Sequence, residues 1–417
     1  MKEAFGKECV PSLQDGEASA EEFFRRYAAT RTPAVVRRNG LAEGLRERWT
    51  REYLTQTAGS EMVEVEKRRN LAEGFGEATV KETFPFSKVV ELLRSPKDDQ
   101  VGKDDDDVGD DDEKVPSEGE LYYLTTQAVA LDRDGAPLQL CSAPLTSLRG
   151  DLPVPHPLLP TLAPHQLNVW MGSSRGRKGV SSGLHHDSHD NLYLLLDGRK
   201  RFALFCPADA PCLYPTGRLS AVHPNGLINY AGGASRDDGA HPIPLLARRR
   251  RAVHARLHAA EQQVRGASPE SLSQARAELR AAEQQLDQLL EALLEAGLSG
   301  DSDDDNDNRE DADDYEDDNK KERKLPDEAP LPHFSLVGRL ELADHSRFPL
   351  LNRVRPIYVT LEPGDMLYLP AGWFHDVTSY GHSCAVNYWL YPPSLNAPFS
   401  QPYPDDFWHE KTKHLFW

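Results

Sequence analysis

Cysteine is scarce in this chain: five residues, Cys9, Cys141, Cys206, Cys212 and Cys384, with no Cys-x-x-Cys pair among them. That number and spacing argue against a disulfide framework and a zinc ribbon, and fit a reducing compartment. Long apolar runs are missing too. None approaches the ~20 residues of a membrane span, and Met1-Lys2-Glu3-Ala4-Phe5 lacks the apolar stretch of a signal peptide. Excess positive charge is also lacking. The net charge is −19, but residues 98–113 carry −9 and residues 301–318 carry −11, which leaves about +1 for everything else. The acidity belongs to two solvated segments, and no basic stripe suited to nucleic-acid phosphates remains. The expectation is a soluble cytoplasmic protein with neither membrane nor nucleic acid as partner.

Hydrophobic residues make up 39% of the 417, enough for a real core. Helix and strand signals alternate over residues 1–119: Glu21 to Tyr27 helical, Ala34-Val35-Val36 a strand, Trp49 to Leu54 helical, Met62 to Glu66 a strand. Phe86, Val89, Val90 and Leu93 then mark one face of a helix, and an acidic loop follows at 98–114. Residues 120–240 read as strands and turns. The segment 241–328 differs: Leu272, Leu279, Leu286 and Leu293 recur every seven residues, with Ala275, Ala282 and Leu289 filling the seam. Val253, Leu257, Ala260 and Val264 mark an earlier helix, so the pair predicts a coiled-coil hairpin with an acidic tail. Strand texture returns over 329–417. The hairpin is thus an insertion within one β domain. Arg248 to Arg251 reads as a basic helix start, with nuclear entry as the alternative. Asp301 to Ala312 lacks the Gly and Glu of a calcium loop.

The densest cluster of possible ligands is Ser182-Gly183-Leu184-His185-His186-Asp187-Ser188-His189-Asp190-Asn191. Two imidazoles and a carboxylate on one face suit ferrous iron, leaving positions open for substrate and oxygen. Residues two apart on a strand point the same way, so His-x-Asp supplies two of the three. Several His/Asp pairs here would serve, and a polar loop is the plainer reading. Leu192 to Leu196 and Arg199 to Phe205 flank Asp197-Gly198, a two-residue hairpin turn by composition. In that hairpin Lys200 shares a face with Asn191, Tyr193 and Leu195, an inward cation that calls for an anion; an edge lysine reaching water is the alternative. A straight strand would put Asp187 about 26 Å from Lys200, so the chain must bend within Ser188 to Asn191. Tyr358 to Val377 carries strand, Pro-Gly turn, strand and a Pro-bounded corner, delivering His375 beside Trp373.

His-x-Asp, a lysine fifteen residues after the first His, and Pro363-Gly364-Asp365-x-Leu367-Tyr368-Leu369-Pro370 before Trp373-Phe374-His375 together resemble the jumonji-C, or cupin-like, oxygenases. Asn168-Val169-Trp170-Met171-Gly172, Asn191-Leu192-Tyr193 and Ala385-Val386-Asn387-Tyr388-Trp389 extend the likeness, which covers roughly 300 residues. The resemblance implies a mainly β fold, a double-stranded β-helix with flanking helices and a helical-hairpin insertion. It implies Fe(II) held by His185, Asp187 and His375, with 2-oxoglutarate as cosubstrate. By the same likeness Lys200 pairs with the distal carboxylate, Ser182 offers a hydroxyl beside it, and Asn191, Asn387 and Tyr123 line the cosubstrate site. Asp187 and His375 stand 188 residues apart, about twice the family's usual spacing, and the insertion accounts for the excess.

Within the family the chain resembles members that hydroxylate lysyl side chains, which implies a protein or peptide substrate. Other family members tend to dimerise, so a homodimer is one expectation. Two rivals stand beside this reading: demethylation or hydroxylation of another residue, and an inactive scaffold that binds partners through the coiled coil.

Overall fold

The computed structural model describes residues 9–68, 80–93, 121–130, 137–174, 179–231, 235–240, 243–268, 270–295, 331–412 and 415. The two acidic runs at 98–114 and 301–318 lie outside them. Two compact units result: 1–233 with 237–240 and 331–417, and 234–236 with 241–330.

In the second unit, helices Ile243–Gly266 and Leu272–Glu295 pack on each other. Ala260, Ala275, Ala282 and Leu289 are buried, while Leu272, Leu279 and Leu286 are half-buried. The alanines thus form most of the buried line of the seam, and the leucines beside them lie at its margin. No described helix is long and apolar enough to cross a membrane.

The first unit is built on strands β1 (Ser12–Gln14), β2 (Ala34–Arg37), β3 (Met62–Arg68), β4 (Val80–Pro85), β5 (Leu121–Leu124), β6 (Pro164–Ser173), β7 (Val180–Ser181), β8 (Asp190–Phe205), β9 (Leu219–Val222), β10 (Ile228–Tyr230), β11 (Ile357–Leu361), β12 (Met366–Leu369) and β13 (Phe374–Leu390). β8 and β13 run antiparallel along nearly their whole lengths. The early half of β8 also pairs with β12, and the late half of β13 with β6. The other halves pair with β11 and β7. Two sheets therefore share two long strands, the arrangement of a double-stranded β-helix. Tyr193, Leu195, Leu367 and Leu369 of one sheet meet Phe202, Leu204, Val359 and Leu361 of the other in one buried cluster. Each such side chain gains roughly 1.5–3 kcal/mol from burial.

The Asp197-Gly198 hairpin is corrected by this pairing. Residues 190–205 form one strand, because each half finds its partner on β13 and not on the other half. Gly198 takes φ +82° where the register with β13 shifts, and a Cβ there would lie 2.1 Å from the His382 carbonyl oxygen. Asp-Gly thus makes a bulge instead of a turn. The irregularity offsets the alternation by one, so Lys200, Phe202 and Leu204 face the same interior as Tyr193 and Leu195. The inward Lys200 holds, by a different geometry.

Nearer the N-terminus, the helix expected at Trp49 to Leu54 begins two residues later and runs over Arg51–Ala58, and a separate, unexpected helix precedes it. Gly40–Arg48 ends at Trp49, and Arg51–Ala58 is capped by Thr50, whose Oγ1 accepts from the Tyr53 amide at 3.2 Å. Helix Phe86–Leu93 buries Phe86, Val89, Val90 and Leu93 as its spacing requires.

Candidate metal centre

His185 and Asp187 lie in the extended segment ahead of β8, and the chain bends at Ser188 and His189 before the strand begins. That is the bend which the distance to Lys200 demands. His375 is the second residue of β13. Reciprocal backbone hydrogen bonds tie His185 to His375, the His375 amide donating at 2.7 Å and the His185 amide at 3.1 Å. One ligand atom from each of His185, Asp187 and His375 lies within 4.8 Å of the others.

The ring orientations are fixed as well. His185 Nδ1 lies 2.9 Å from the Gly183 carbonyl oxygen and His375 Nδ1 lies 2.9 Å from that of Trp373. Both Nδ1 atoms therefore carry the proton and donate it, leaving each Nε2 lone pair for a metal. Burial pushes both His185 and His375 down to about 4, and protonation of His375 would further disfavour protonation of His185. Both rings are thus neutral at physiological pH, the form that ligates. Burial raises Asp187 above the usual carboxylate range, a displacement that a cation at the site would reverse. Two imidazoles and a carboxylate, oriented and deprotonated, fit a divalent ion such as Fe(II).

A cavity of about 350 Å³ opens beside this triad, and its walls include Ser182, Asn191, Tyr123 and Lys200. Lys200 is 1% exposed; its Nζ donates to Tyr123 Oη at 3.1 Å and lies 5.4 Å and 5.6 Å from the Tyr123 and Tyr193 ring centres. Of the adjacent tyrosines, Tyr123 is in the site, while Tyr122 packs edge-on against Phe84. Ser182 Oγ accepts from the Val377 amide at 3.1 Å. Asn387 is brought near but does not line the cavity. It sits behind the wall, accepting from Trp170 Nε1 at 2.9 Å and donating from Nδ2 to Asn191 Oδ1 at 3.0 Å.

The neighbouring histidines turn elsewhere. His186 Nε2 lies 2.7 Å from Tyr230 Oη, and His189 stacks on His165 with centroids 3.9 Å apart. Sequence reasoning missed Glu66, Thr125, His333 and Phe334, which also line the cavity. Phe334 bridges to His185 and stacks on its ring at 5.1 Å. No local pattern marks that segment, since it meets the ligands only through long-range pairing.

The buried imidazoles carry a pH dependence. Burial is the first cause in each case, pushing His156, His165 and His186 down to about 3. These folded-state values lie below the ordinary 6.5 of an unfolded chain, so below pH 6.5 the unfolded state binds more protons and stability falls. Each fully effective histidine contributes up to about 1.4 kcal/mol per pH unit. Asp187 acts in the opposite sense, but it is one group against seven, since His185, His189, His333 and His375 are lowered as well. The metal-free thermal midpoint is expected to drop between pH 6.5 and 5, by calorimetry; a rising midpoint would contradict it.

A profile described as Cupin-like domain matches residues 20–396. JmjC domain-containing protein 4 of Schizosaccharomyces pombe is 30% identical, over 97% of this chain and 90% of its own. The human tRNA wybutosine-synthesizing protein 5 is 29% identical over 51% of this chain, which spans 60% of that relative's length. Lysine-specific demethylase JMJ31 of Arabidopsis thaliana is 26% identical over 47% of this chain and 36% of its own. With the double-stranded β-helix and the His-Asp-His triad in place, the chain belongs to the cupin-like JmjC family, whose members typically use Fe(II) and 2-oxoglutarate.

Proposed function

We propose that this chain is an Fe(II)- and 2-oxoglutarate-dependent protein hydroxylase acting on a lysyl side chain. The observation that carries the oxygenase part is one cavity holding both an oriented His185-Asp187-His375 triad and the buried cation Lys200. Lysine as the target rests on the likeness to lysyl-hydroxylating members, and a carboxylate in the same wall, Glu66, suits a cationic substrate.

When bound, iron and 2-oxoglutarate supply the oxidising power: 2-oxoglutarate and dioxygen become succinate and carbon dioxide as one oxygen atom enters a substrate C–H bond. The residues of this chain bind and orient. Lys200, with Tyr123 beside it, receives the distal carboxylate. Asn191, braced by Asn387 and Trp170, fixes the polar wall. Phe334, Trp170 and Trp389 line the cavity with apolar surface that limits water.

Demethylation is the second reading, favoured by relatives named lysine-specific demethylases. One experiment separates them: the protein is incubated with Fe(II), 2-oxoglutarate and a library of unmodified and Nε-methylated lysyl peptides, then read by mass spectrometry. Gain of one oxygen on an unmodified lysyl residue is expected. Loss of methyl groups alone would overturn lysyl hydroxylation.

A further inference from the structure

Asp190 and Arg31 form an ion pair buried beside the triad, 0% and 4% exposed. Neither charge is needed to fill the core, and isolated charges there would be strongly destabilising. Every oxygen lone pair of Asp190 is engaged. Oδ2 accepts from Arg31 Nη1 at 2.7 Å and from the Tyr368 hydroxyl at 2.6 Å. Oδ1 accepts from Arg31 Nη2 and from the Ala371 amide at 2.9 Å.

These partners belong to the two segments that carry the ligands. Asp190 follows Asp187 by three residues, immediately after the bend. Ala371 precedes His375 by four, and its neighbour Gly372 donates its amide to the Asp187 carbonyl oxygen at 2.8 Å. Arg31 grips the same corner twice, because its own carbonyl oxygen accepts from Trp373 Nε1 at 3.1 Å. Arg31 holds a left-handed backbone, φ +58°, and Nη1 also donates to the Ala28 carbonyl oxygen at 3.2 Å. That conformation is uncommon for a residue with a side chain and persists where surrounding contacts fix it.

We infer that the Arg31–Asp190 pair is a positioning clamp for the metal triad, holding the His185-Asp187 segment and the His375 corner in register. The inference rests on the triad being the iron site. Asp190 and Arg31 touch no ligand atom; they act through the backbone of the bend and of residues 371–373. A shift of either segment would strip hydrogen bonds from a buried charge, so the two are held at one spacing although their ligands stand 188 residues apart in sequence. Residues that orient ligands typically change metal affinity 10- to 100-fold when lost.

The test measures Fe(II) and Co(II) affinity, with the Co(II) d–d spectrum as a report of ligand geometry, on folded protein at low temperature. The full chain is compared with Asp190→Asn, Tyr368→Phe and Arg48→Met. Arg48 pairs with Asp151 at 2.6 Å and neither lines the cavity, so it controls for simple loss of an ion pair. Asp190→Asn is expected to lower Fe(II) affinity at least about tenfold and to change the Co(II) spectrum. Tyr368→Phe, which keeps its ring and the ion pair, is expected to lower the affinity a few-fold and change the spectrum, and it carries the test if Asp190→Asn does not fold. Arg48→Met leaves both unchanged. Parental affinity and spectrum in the folded Asp190→Asn or Tyr368→Phe protein would overturn the clamp alone. A parent that binds neither ion would overturn the reading of the triad, and the clamp with it.

Discussion

Lys200→Met is expected to melt no lower than the parent protein while needing roughly 30- to 1000-fold more 2-oxoglutarate for half-maximal turnover. The two halves of that result have one cause. Lys200 is buried, and among the described residues no carboxylate forms an ion pair with it. Burial disfavours the ammonium, and the Tyr123 hydroxyl with the rings of Tyr123 and Tyr193 offsets that cost. The ammonium thus persists, held only by phenols, and awaits an anion. An apolar side chain of similar length removes the desolvation penalty, so stability does not suffer. The cosubstrate loses a buried charge-assisted contact of about 2–4 kcal/mol, which converts to the stated range at about 1.4 kcal/mol per tenfold. Calorimetry and succinate formation against 2-oxoglutarate concentration check it. A variant that melts early yet keeps parental cosubstrate affinity would assign Lys200 to the core instead.

Gly372→Ala is expected to destabilise the protein by more than about 3 kcal/mol and to lose iron binding. Gly372 sits at φ +75°, where a side chain is strained, and a Cβ there would meet the Gly226 carbonyl oxygen at 1.9 Å. Gly226 is locked reciprocally, its added Cβ falling 2.1 Å from the Ala371 carbonyl oxygen. Both obstacles are backbone and have no rotamer to yield. Relief requires the 371–373 corner to move, and that corner holds Asp187 through its carbonyl and sets the start of β13. Urea unfolding and iron titration check the prediction. A midpoint within error of the parent would show that the corner has slack.

Legibility in the sequence followed the range of the interactions. His185, Asp187 and His375 were readable because their types and order resemble a family pattern, and the bend after Asp187 followed from distance alone. Lys200 was placed on the right face through a turn that is really a bulge. Asp-Gly signals a positive φ, but whether it turns or bulges depends on β13, far away in sequence. Helix Gly40–Arg48 was illegible for a local reason: two glycines weaken it, it buries only Ala42 and Leu45, and its stability comes from Asn39, whose Oδ1 accepts the Ala42 amide at 3.1 Å. The Arg31–Asp190 pair joins residues 159 apart, and neither residue looks unusual among its neighbours.

The most direct measurement is succinate formation from 2-oxoglutarate by anaerobically prepared protein given Fe(II) and then air, beside His185→Ala. The account predicts stoichiometric iron and turnover in the parent, with both abolished in the variant. A parent that neither holds iron nor consumes 2-oxoglutarate would contradict it, and the fold would then serve as a scaffold.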